Sequence, residues 1–346
     1  MTQRYRVIST IGAGAFGTTH LIQSIETEKL YCLKKIRASA MSKYNQAQIQ
    51  NEVKIMKQLQ HPHIVKFYDS QLINDHIQIR MSYAQNGDFA SKKIYSDQEI
   101  TFYLAQLLLG LDYLHITSKV IHRDIKPQNL LLDDKTLQIC DFGLSKLLHY
   151  TNALARTQCG TPYYYSPEIA SGKVYTQKAD IWSCGIVGFR MVYQRLPFTG
   201  KSMETLMSEI AKFKFSDNEK TSRFYPILSK MLQVDQFKRS TAREILAMAE
   251  FRETLAFLCK KFKKQKAYLG QIQNILSVCS DIQVVLNDDL VVLKTRLIDL
   301  LGEMRFYQIL IGLSKGQVLS QCGAGLSIQA KSEVRAYVKA ILACIQ

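Results

Sequence analysis

The chain is 346 residues long and carries 45 Lys and Arg against 29 Asp and Glu, a net charge of +16. That length holds two or three domains with sizeable cores, and the basic balance points to acidic partners: nucleotide, nucleic acid, acidic protein or anionic lipid. The start, Met1-Thr2-Gln3-Arg4-Tyr5-Arg6-Val7, has no apolar h-region, no run of about 18 apolar residues occurs, and the eight cysteines form no CxxC pair. Signal and transit peptides, a membrane span, a zinc ribbon and a disulfide framework are therefore not expected, and a reducing cytosol or nucleus is.

The first elements read as strands. Tyr5–Ile11 leads into a glycine turn over Gly12–Gly17, Thr18–Ser24 follows, and a turn at Glu26–Lys29 precedes Tyr31–Ile36, an antiparallel pattern. Gln46–Leu59 places Ile49, Val53, Met56 and Leu59 at helical spacing, and Ile64–Phe67 and Ile77–Tyr83 read as further strands. From Asp97 the texture changes. Ser96-Asp97-Gln98-Glu99 predicts a helix start, and Ile100–His115 and Lys178–Tyr193, which contains Trp182, read as buried helices. A β-rich lobe before a helical lobe implies a cleft near Met81–Gly87. All six prolines precede residue 230, so the remainder, rich in Leu, Ile, Val, Lys and Gln, reads as mostly helical. Within it, Lys260, Lys261, Lys263, Lys264 and Lys266 read as a solvated helix face or linker, or a patch for an anionic surface. Leu290, Leu293, Leu297, Leu300 and Leu301 follow helical spacing without sustained heptads, which favours a small bundle over a long coiled coil.

Chemistry concentrates in Val120-Ile121-His122-Arg123-Asp124-Ile125-Lys126-Pro127-Gln128-Asn129, followed by Asp141-Phe142-Gly143. A carboxylate, an ammonium and a carboxamide at this spacing, with a second carboxylate downstream, suit phosphoryl transfer. Asp124 can orient and accept from a hydroxyl, Lys126 can neutralise phosphate, and Asn129 with Asp141 can hold a divalent metal through oxygen. Gly12-Ala13-Gly14-Ala15-Phe16-Gly17 lies between strands rather than opening a helix. It therefore reads as a hairpin whose backbone N–H groups approach phosphate, not as a dinucleotide fingerprint. Lys34 follows an apolar alternation, and the helix carboxylate Glu52 is its expected partner.

Together these residues resemble the eukaryotic protein kinases over about residues 1–250, with Ser166-Pro167-Glu168, Asp180-Ile181-Trp182-Ser183-Cys184-Gly185 and Arg239 completing the ordered set. The resemblance implies an α+β, bilobal protein-kinase fold, with a β-rich N-lobe and a helical C-lobe, over 1–250, and a helical extension over 251–346. It implies ATP under the glycine loop, lined by Ile11, Gly12, Ala13, Gly14, Ala15, Phe16, Gly17, Thr19, Cys32, Lys34, Met81, Tyr83, Ala84, Leu131 and Asp141. It further implies Mg2+ on Asn129 and Asp141, Lys34 fixed by Glu52, Asp124 as catalytic base assisted by Lys126, and Met81 beside a hinge of Ser82-Tyr83-Ala84. Met56, Phe67, His122 and Phe142 would stack as a spine anchored by Asp180. Three positions depart from the family: Thr19, Cys32 and Ser82 stand where valine, alanine and an acidic residue are usual, and none of them touches phosphate or metal.

Lys126, and Gly160-Thr161-Pro162 as a substrate loop with Thr161 bonding Asp124 and Lys126, resemble the Ser/Thr enzymes. Gly160–Glu168, His61-Pro62-His63-Ile64-Val65 and Leu33-Lys34-Lys35-Ile36 are similar to the NIMA-related subgroup, and Leu144 resembles kinases that favour serine. Thr157, eleven residues before Glu168, matches the family's activation phosphosite, with Arg123 and Lys146 as phosphate partners; Thr151 is a weaker candidate. Cys140 and Cys159 read as small apolar fillers rather than reactive thiols. The expectation is a protein Ser/Thr kinase using ATP and Mg2+ on protein substrates, without specific nucleic-acid binding, cytoplasmic, and able to self-associate through its C-terminal helices. The alternative, a pseudokinase scaffold, commonly lacks one of Lys34, Asp124, Asn129 and Asp141, and this chain keeps them all. A small-molecule phosphotransferase would not need Gly160–Glu168 or Arg239.

Overall fold

A computed structural model describes residues 4–14, 17–39, 43–91, 94–141 and 162–278, without the side chains of 43–48, 51–52 and 277–278. The chain divides into two compact units, Met1–Met248 and Ala249–Gln346.

The first unit opens with an antiparallel sheet of β1 (Tyr5–Gly14), β2 (Gly17–Ser24), β3 (Leu30–Arg37), β4 (Phe67–Ile73) and β5 (His76–Ser82), in the order β1-β2-β3-β5-β4. Strand β1 runs through the first half of the expected glycine turn, and Gly14 pairs with Gly17. The reason is local. Gly12 lies opposite Thr19, so the hairpin stays zipped to its tip. At Gly17, where φ is +152°, a Cβ would fall 1.8 Å from the Lys35 carbonyl oxygen, so only glycine lets β2 lie this close to β3. In the β3–β5 register Lys34 faces Ile79 and Leu33 faces Arg80. Because side chains alternate, Cys32, Lys34 and Ile36 share one sheet face with Met81, Ile79 and Ile77, while Tyr31 and Arg80 belong to the other.

Helix α1 (Lys43–Gln58) buries Ile49, Val53 and Met56, the expected apolar positions. The expected strand over Ile64–Phe67 is corrected: β4 begins at Phe67. Val65 instead donates its N–H to the Ile139 carbonyl (3.0 Å), and Ile139 donates to the His63 carbonyl (2.9 Å). Those apolar residues are buried because they stitch the segment after α1 onto the strand that ends at Ile139, rather than because they belong to the large sheet.

Helix α2 (Asp97–Asp112) begins as predicted: Ser96 and Glu99 form a reciprocal capping box. It continues into a π-helical turn, Tyr113–Thr117. By length and composition 97–117 is apolar enough to cross a membrane, but 72% of its most apolar stretch is buried within the protein, as in a core helix. The hairpin of β6 (Leu130–Asp133) and β7 (Thr136–Ile139) follows. Then come α3 (Pro167–Ala170), α4 (Lys178–Tyr193), α5 (Met203–Ala211), α6 (Asp217–Lys220), α7 (Tyr225–Met231) and α8 (Ala242–Leu246).

Trp182 of α4 is fully buried. Phe198 stacks parallel to it, Phe213 packs edge-on, and the Arg239 guanidinium lies 5.1 Å from its ring centroid. Arg239 forms a two-point ion pair with Glu168 (2.7 and 2.9 Å), both side chains sealed from solvent. Arg243 of α8 clamps Asp112 of α2 the same way at 3.1 and 3.0 Å. Helix α2 is thus fixed to α8, and α3 to the loop before α8, by paired charges whose carboxylates are buried.

In the second unit α9 (Arg252–Lys261) and α10 (Lys266–Val278) form a helical pair with Leu255, Leu258, Tyr268, Ile272 and Ile275 buried and Phe262 edge-on to Tyr268. The five clustered lysines are all exposed where α9 ends, through the connecting turn, and at the first residue of α10. The leucines of the 290–301 stretch lie outside the described residues.

Candidate active site

The site is built on Asp180, in the first turn of α4 and only 1% exposed. Its Oδ2 accepts from the His115 Nε2–H and the His122 backbone N–H, and its Oδ1 from the Arg123 backbone N–H, each at 2.8 Å. Burial alone would raise its pKa. The hydrogen bond and charge of His115, with His122, override that and hold the carboxyl below the usual range. One buried carboxylate therefore fixes two consecutive peptide groups of the catalytic loop. Arg123 accordingly takes φ +71°, a left-handed conformation held by the surrounding bonds.

His122 sits above this anchor, wholly buried. Burial keeps its pKa below the ordinary histidine value, so the ring is neutral. Its Nε2 faces the Cys140 carbonyl at 2.9 Å and carries the proton; its Nδ1 accepts from the Asp124 N–H at 3.3 Å. The ring thus ties the catalytic loop to the residue preceding Asp141.

At the loop's tip, Asp124 Oδ2 accepts from Lys126 Nζ and from Asn129 Nδ2, both at 2.8 Å, and Asn129 Nδ2 also donates to the Asp124 carbonyl at 2.8 Å. Burial pushes the Asp124 carboxyl up, but the Lys126 charge and hydrogen bond, then His122 and Asn129, outweigh it, and the pKa lies below the usual range. The side chain stays 14% exposed, an ionised carboxylate open to solvent at the tip of the loop. Asn129 closes the turn Pro127–Asn129, which runs directly into β6.

Lys34 reaches from β3 to donate to Asp141 Oδ1 at 2.6 Å. Burial opposes its charge, yet Asp141 prevails and raises its pKa. Asp141 has φ +59°, a second left-handed residue at the site. An ammonium from the sheet and a carboxylate from the segment after β7 therefore meet across the cleft. Among the described residues no cluster of three His, Cys, Asp or Glu could cage a metal. The donors present, one carboxylate at Asp141 and one carboxamide at Asn129, suit magnesium, which keeps most of its ligands from water and phosphate.

The adenine-side residues expected from the resemblance cluster by register. Met81 pairs with Cys32, and Tyr83 and Ala84 continue the same strand end; Met81 and Ala84 are buried. The segment after this hinge is pinned to β6, because Asn86 N–H donates to the Leu132 carbonyl (3.0 Å) and Leu132 N–H to the Gly87 carbonyl (2.9 Å). Leu131 is thereby held beside the hinge segment, bridged to Asp88. Ile11, Gly12, Ala13 and Gly14 lie on β1, and Thr19 on β2 faces Lys34. Burial and the neighbouring Asp141 push the Cys140 thiol well above its usual pKa and the Cys32 thiol up to about 11, so neither is a ready thiolate. Ala15, Phe16, Phe142, Leu144, Lys146, Thr151, Thr157, Cys159 and Thr161, with the Glu52 side chain, lie outside the described residues.

Two residues of the site carry roles not foreseen above. His115, seven residues before His122, donates to Asp180; a histidine closing an otherwise apolar helix was its signal. Arg190 lines a cavity together with Phe89 and Pro127. It interrupts the apolar run Ile186-Val187-Gly188-Phe189-Arg190-Met191-Val192, and a lone cation there was legible.

A two-lobed fold with a Lys–Asp pair across the cleft and an Asp–Lys–Asn cluster below it is the arrangement of the protein-kinase class. The chain belongs to the protein kinase family, whose domain matches residues 5–251. It is similar to the carbon catabolite-derepressing protein kinase of Candida glabrata, 32% identical over 295 residues, covering 82% of this chain and 48% of that protein. It is similar to the probable serine/threonine-protein kinase nek1 of Dictyostelium discoideum, 33% identical over 279 residues, with 72% and 57% covered. It is also similar to the serine/threonine-protein kinase Nek5 of Homo sapiens, 32% identical over 253 residues, with 70% and 36% covered. The chain spans about half the length of the first two. The NIMA-related resemblance is supported, alongside an equal likeness to the catabolite-derepressing kinases.

Proposed function

We propose that this chain is a catalytically competent Ser/Thr protein kinase, moving the γ-phosphoryl group of ATP to a hydroxyl of a protein substrate. The observation that carries this is the pairing of Lys34 with Asp141 at 2.6 Å beside Asp124, Lys126 and Asn129 joined at 2.8 Å. Asp124 accepts the hydrogen bond of the acceptor hydroxyl and orients it, and Lys126 balances charge gathering on the transferring group. Lys34 meets phosphate oxygens of the nucleotide. Asn129 and Asp141 would hold magnesium, which supplies charge neutralisation on the phosphates when bound.

The test is phosphorylation of casein and of a Ser/Thr peptide library by the purified chain, beside Lys34→Met and Asp141→Asn. Both substitutions are expected to abolish transfer, and undiminished turnover in the two would sink the reading. A serine preference is the expected library result, after Leu144.

We infer further that phosphorylation of Thr157 activates the enzyme. The Arg123 guanidinium supports this: among the described residues it pairs with no carboxylate and rests 5.6 Å from the Tyr175 ring centroid, so a phosphate can claim it together with Lys146. Thr157→Ala is expected to lower activity, and a fully active preparation unphosphorylated at Thr157 would refute the role. Cys32, Cys140, Cys184 and Cys259 are free thiols, which supports a cytosolic or nuclear setting, testable with a fluorescent fusion. Self-association through 251–346 is tested by light scattering of the full chain.

A further inference from the structure

A cavity of about 350 Å³ opens between the turn that follows Lys126 and helix α4. Phe89, Pro127, Val187 and Met191 make an apolar floor, and Tyr95 and Arg190 bring the polar groups. Arg190 is its one charged lining residue among the described residues. It donates to the Ala90 carbonyl at a long 3.4 Å and hydrogen-bonds the Tyr164 phenol, and among the described residues it forms no ion pair with a carboxylate. The two phenols nearest it do not supply the missing charge. Burial raises the pKa of both Tyr95 and Tyr164 in spite of the attraction of Arg190, so both stay neutral. Elsewhere in this lobe the buried arginine is matched: Arg239 has Glu168, and Asp112 has Arg243. A guanidinium left without a carboxylate in a half-closed, apolar-floored cavity holds a favourable place for a carboxylate or phosphate, in the two-point geometry arginine prefers.

Location says whose anion it is. Pro127 lies three residues beyond Asp124 and opens the turn whose Asn129 bonds Asp124. An extended peptide advances about 3.3 Å per residue, so a substrate with its hydroxyl at Asp124 brings a side chain a few positions away to this cavity.

We propose that this cavity is a substrate subsite in which Arg190 selects an anionic side chain, Asp, Glu or a phosphorylated Ser, at one fixed position within a few residues of the acceptor hydroxyl. This rests on the kinase reading above and adds the substrate class.

The experiment is a positional-scanning peptide library phosphorylated by the full chain and by Arg190→Gln and Arg190→Glu, with Asp, Glu, phosphoserine, Lys and neutral residues at each position. A parallel measurement follows equilibrium binding of a fluorescein-labelled acidic peptide and its neutral counterpart, which needs no turnover. Thermal melting of each variant reports its fold. The expected result is at least about a tenfold preference for an anion at one position, corresponding to one charge-assisted interaction of about 1.4 kcal/mol. Arg190→Gln removes that preference, and Arg190→Glu reverses it toward Lys at the same position. Phosphoserine above Asp and Glu identifies a previously phosphorylated substrate; equal scores identify an acidic one. A folded wild-type chain that phosphorylates peptides with no anion preference, or an Arg190→Glu profile unchanged from wild type, overturns the subsite while leaving the kinase reading intact. A chain that transfers no phosphate but binds the acidic peptide through Arg190 sinks the activity and keeps the subsite. Equal binding of both peptides overturns the subsite directly.

Discussion

Two aspartates, close in the fold and both held below the ordinary carboxylate range, do opposite work. Asp180 is 1% exposed and takes its hydrogen bonds from two backbone N–H groups and a buried ring. Asp124 is 14% exposed and takes its side-chain bonds from Lys126 and Asn129, an ammonium and a carboxamide of its own loop. Two of the three donors to Asp180 are backbone N–H groups and the third is the buried His115 ring, so its carboxylate sets shape. The donors of Asp124 are side-chain tips that can be shared with an incoming substrate, so its carboxylate is available for chemistry. A depressed pKa alone does not separate an anchor from a base; the nature of the donors and the access of solvent do.

The sharpest way to break this comparison is to delete the anchor. Asp180→Ala leaves two peptide N–H groups and the His115 ring donor facing a dry cavity. The expected cost is about 3–5 kcal/mol of stability, the range for breaking a buried, charge-assisted network. Urea or thermal unfolding followed by circular dichroism reads it, with kinase activity lost alongside. A melting temperature unchanged from wild type would show that Asp180 does not hold the loop.

The converse change is Asp124→Asn. The isostere keeps the neighbours packed and should leave the melting temperature nearly unchanged. The rate of phosphoryl transfer should fall by roughly 10²–10⁴-fold, the usual worth of a positioned acid–base group. Steady-state kinetics checks it. A variant crippled equally in stability and activity would make Asp124 a second anchor rather than a base.

A pH titration of stability sharpens the contrast between the groups of the anchor. The folded pKa of His122 is depressed, so the unfolded chain binds the extra proton. Its contribution is present above the unfolded histidine value of about 6.5 and is lost as pH falls toward the lower folded value. Asp180, Asp124 and Glu168 are also depressed, so their contributions hold above about pH 4 and disappear as pH drops through their folded values. Two separate falls in melting temperature are expected on acidification, one beginning near pH 6.5 and one below pH 4. His122→Phe should erase the first and keep the second.

Much of this was legible in the residues, and the exceptions have physical causes. The helix start at Ser96 and the buried helices follow from local chemistry and spacing, whereas Glu168 and Arg239 entered only through the family resemblance. The Ile64–Phe67 strand did not survive, because a short apolar run reports burial and not which backbone covers it; here the partner is Ile139, 75 residues on. The shape of the catalytic loop was also illegible. Arg123 and Asp141 adopt left-handed φ, uncommon for arginine, at positions whose long-range partners, Asp180 for the Arg123 N–H and Lys34 for the Asp141 carboxylate, lie far away in sequence. Pattern reading identifies which residues do chemistry better than it identifies what holds them there.

The smallest expected effect tests the comparison from outside the cleft. On the sheet face opposite Lys34, the Arg80 guanidinium lies 4.6, 5.0 and 5.6 Å from the ring centroids of Tyr5, Tyr31 and Tyr68 and is paired with Asp69. It is a second charge-centred cluster, and the β3–β5 register turns it away from Lys34. Arg80→Met keeps the aliphatic stem and removes the cation, and should cost about 1–2 kcal/mol of stability through lost cation–π contact. The KM for ATP and kcat should stay within about twofold, since the change amounts to no more than ~0.4 kcal/mol at the site. Arg80→Met would then be the inverse of Asp124→Asn, less stable but equally active. A loss of kcat in Arg80→Met would mean that the outer face of the sheet is coupled to the position of Lys34, and that order on one side of β3 is needed for chemistry on the other.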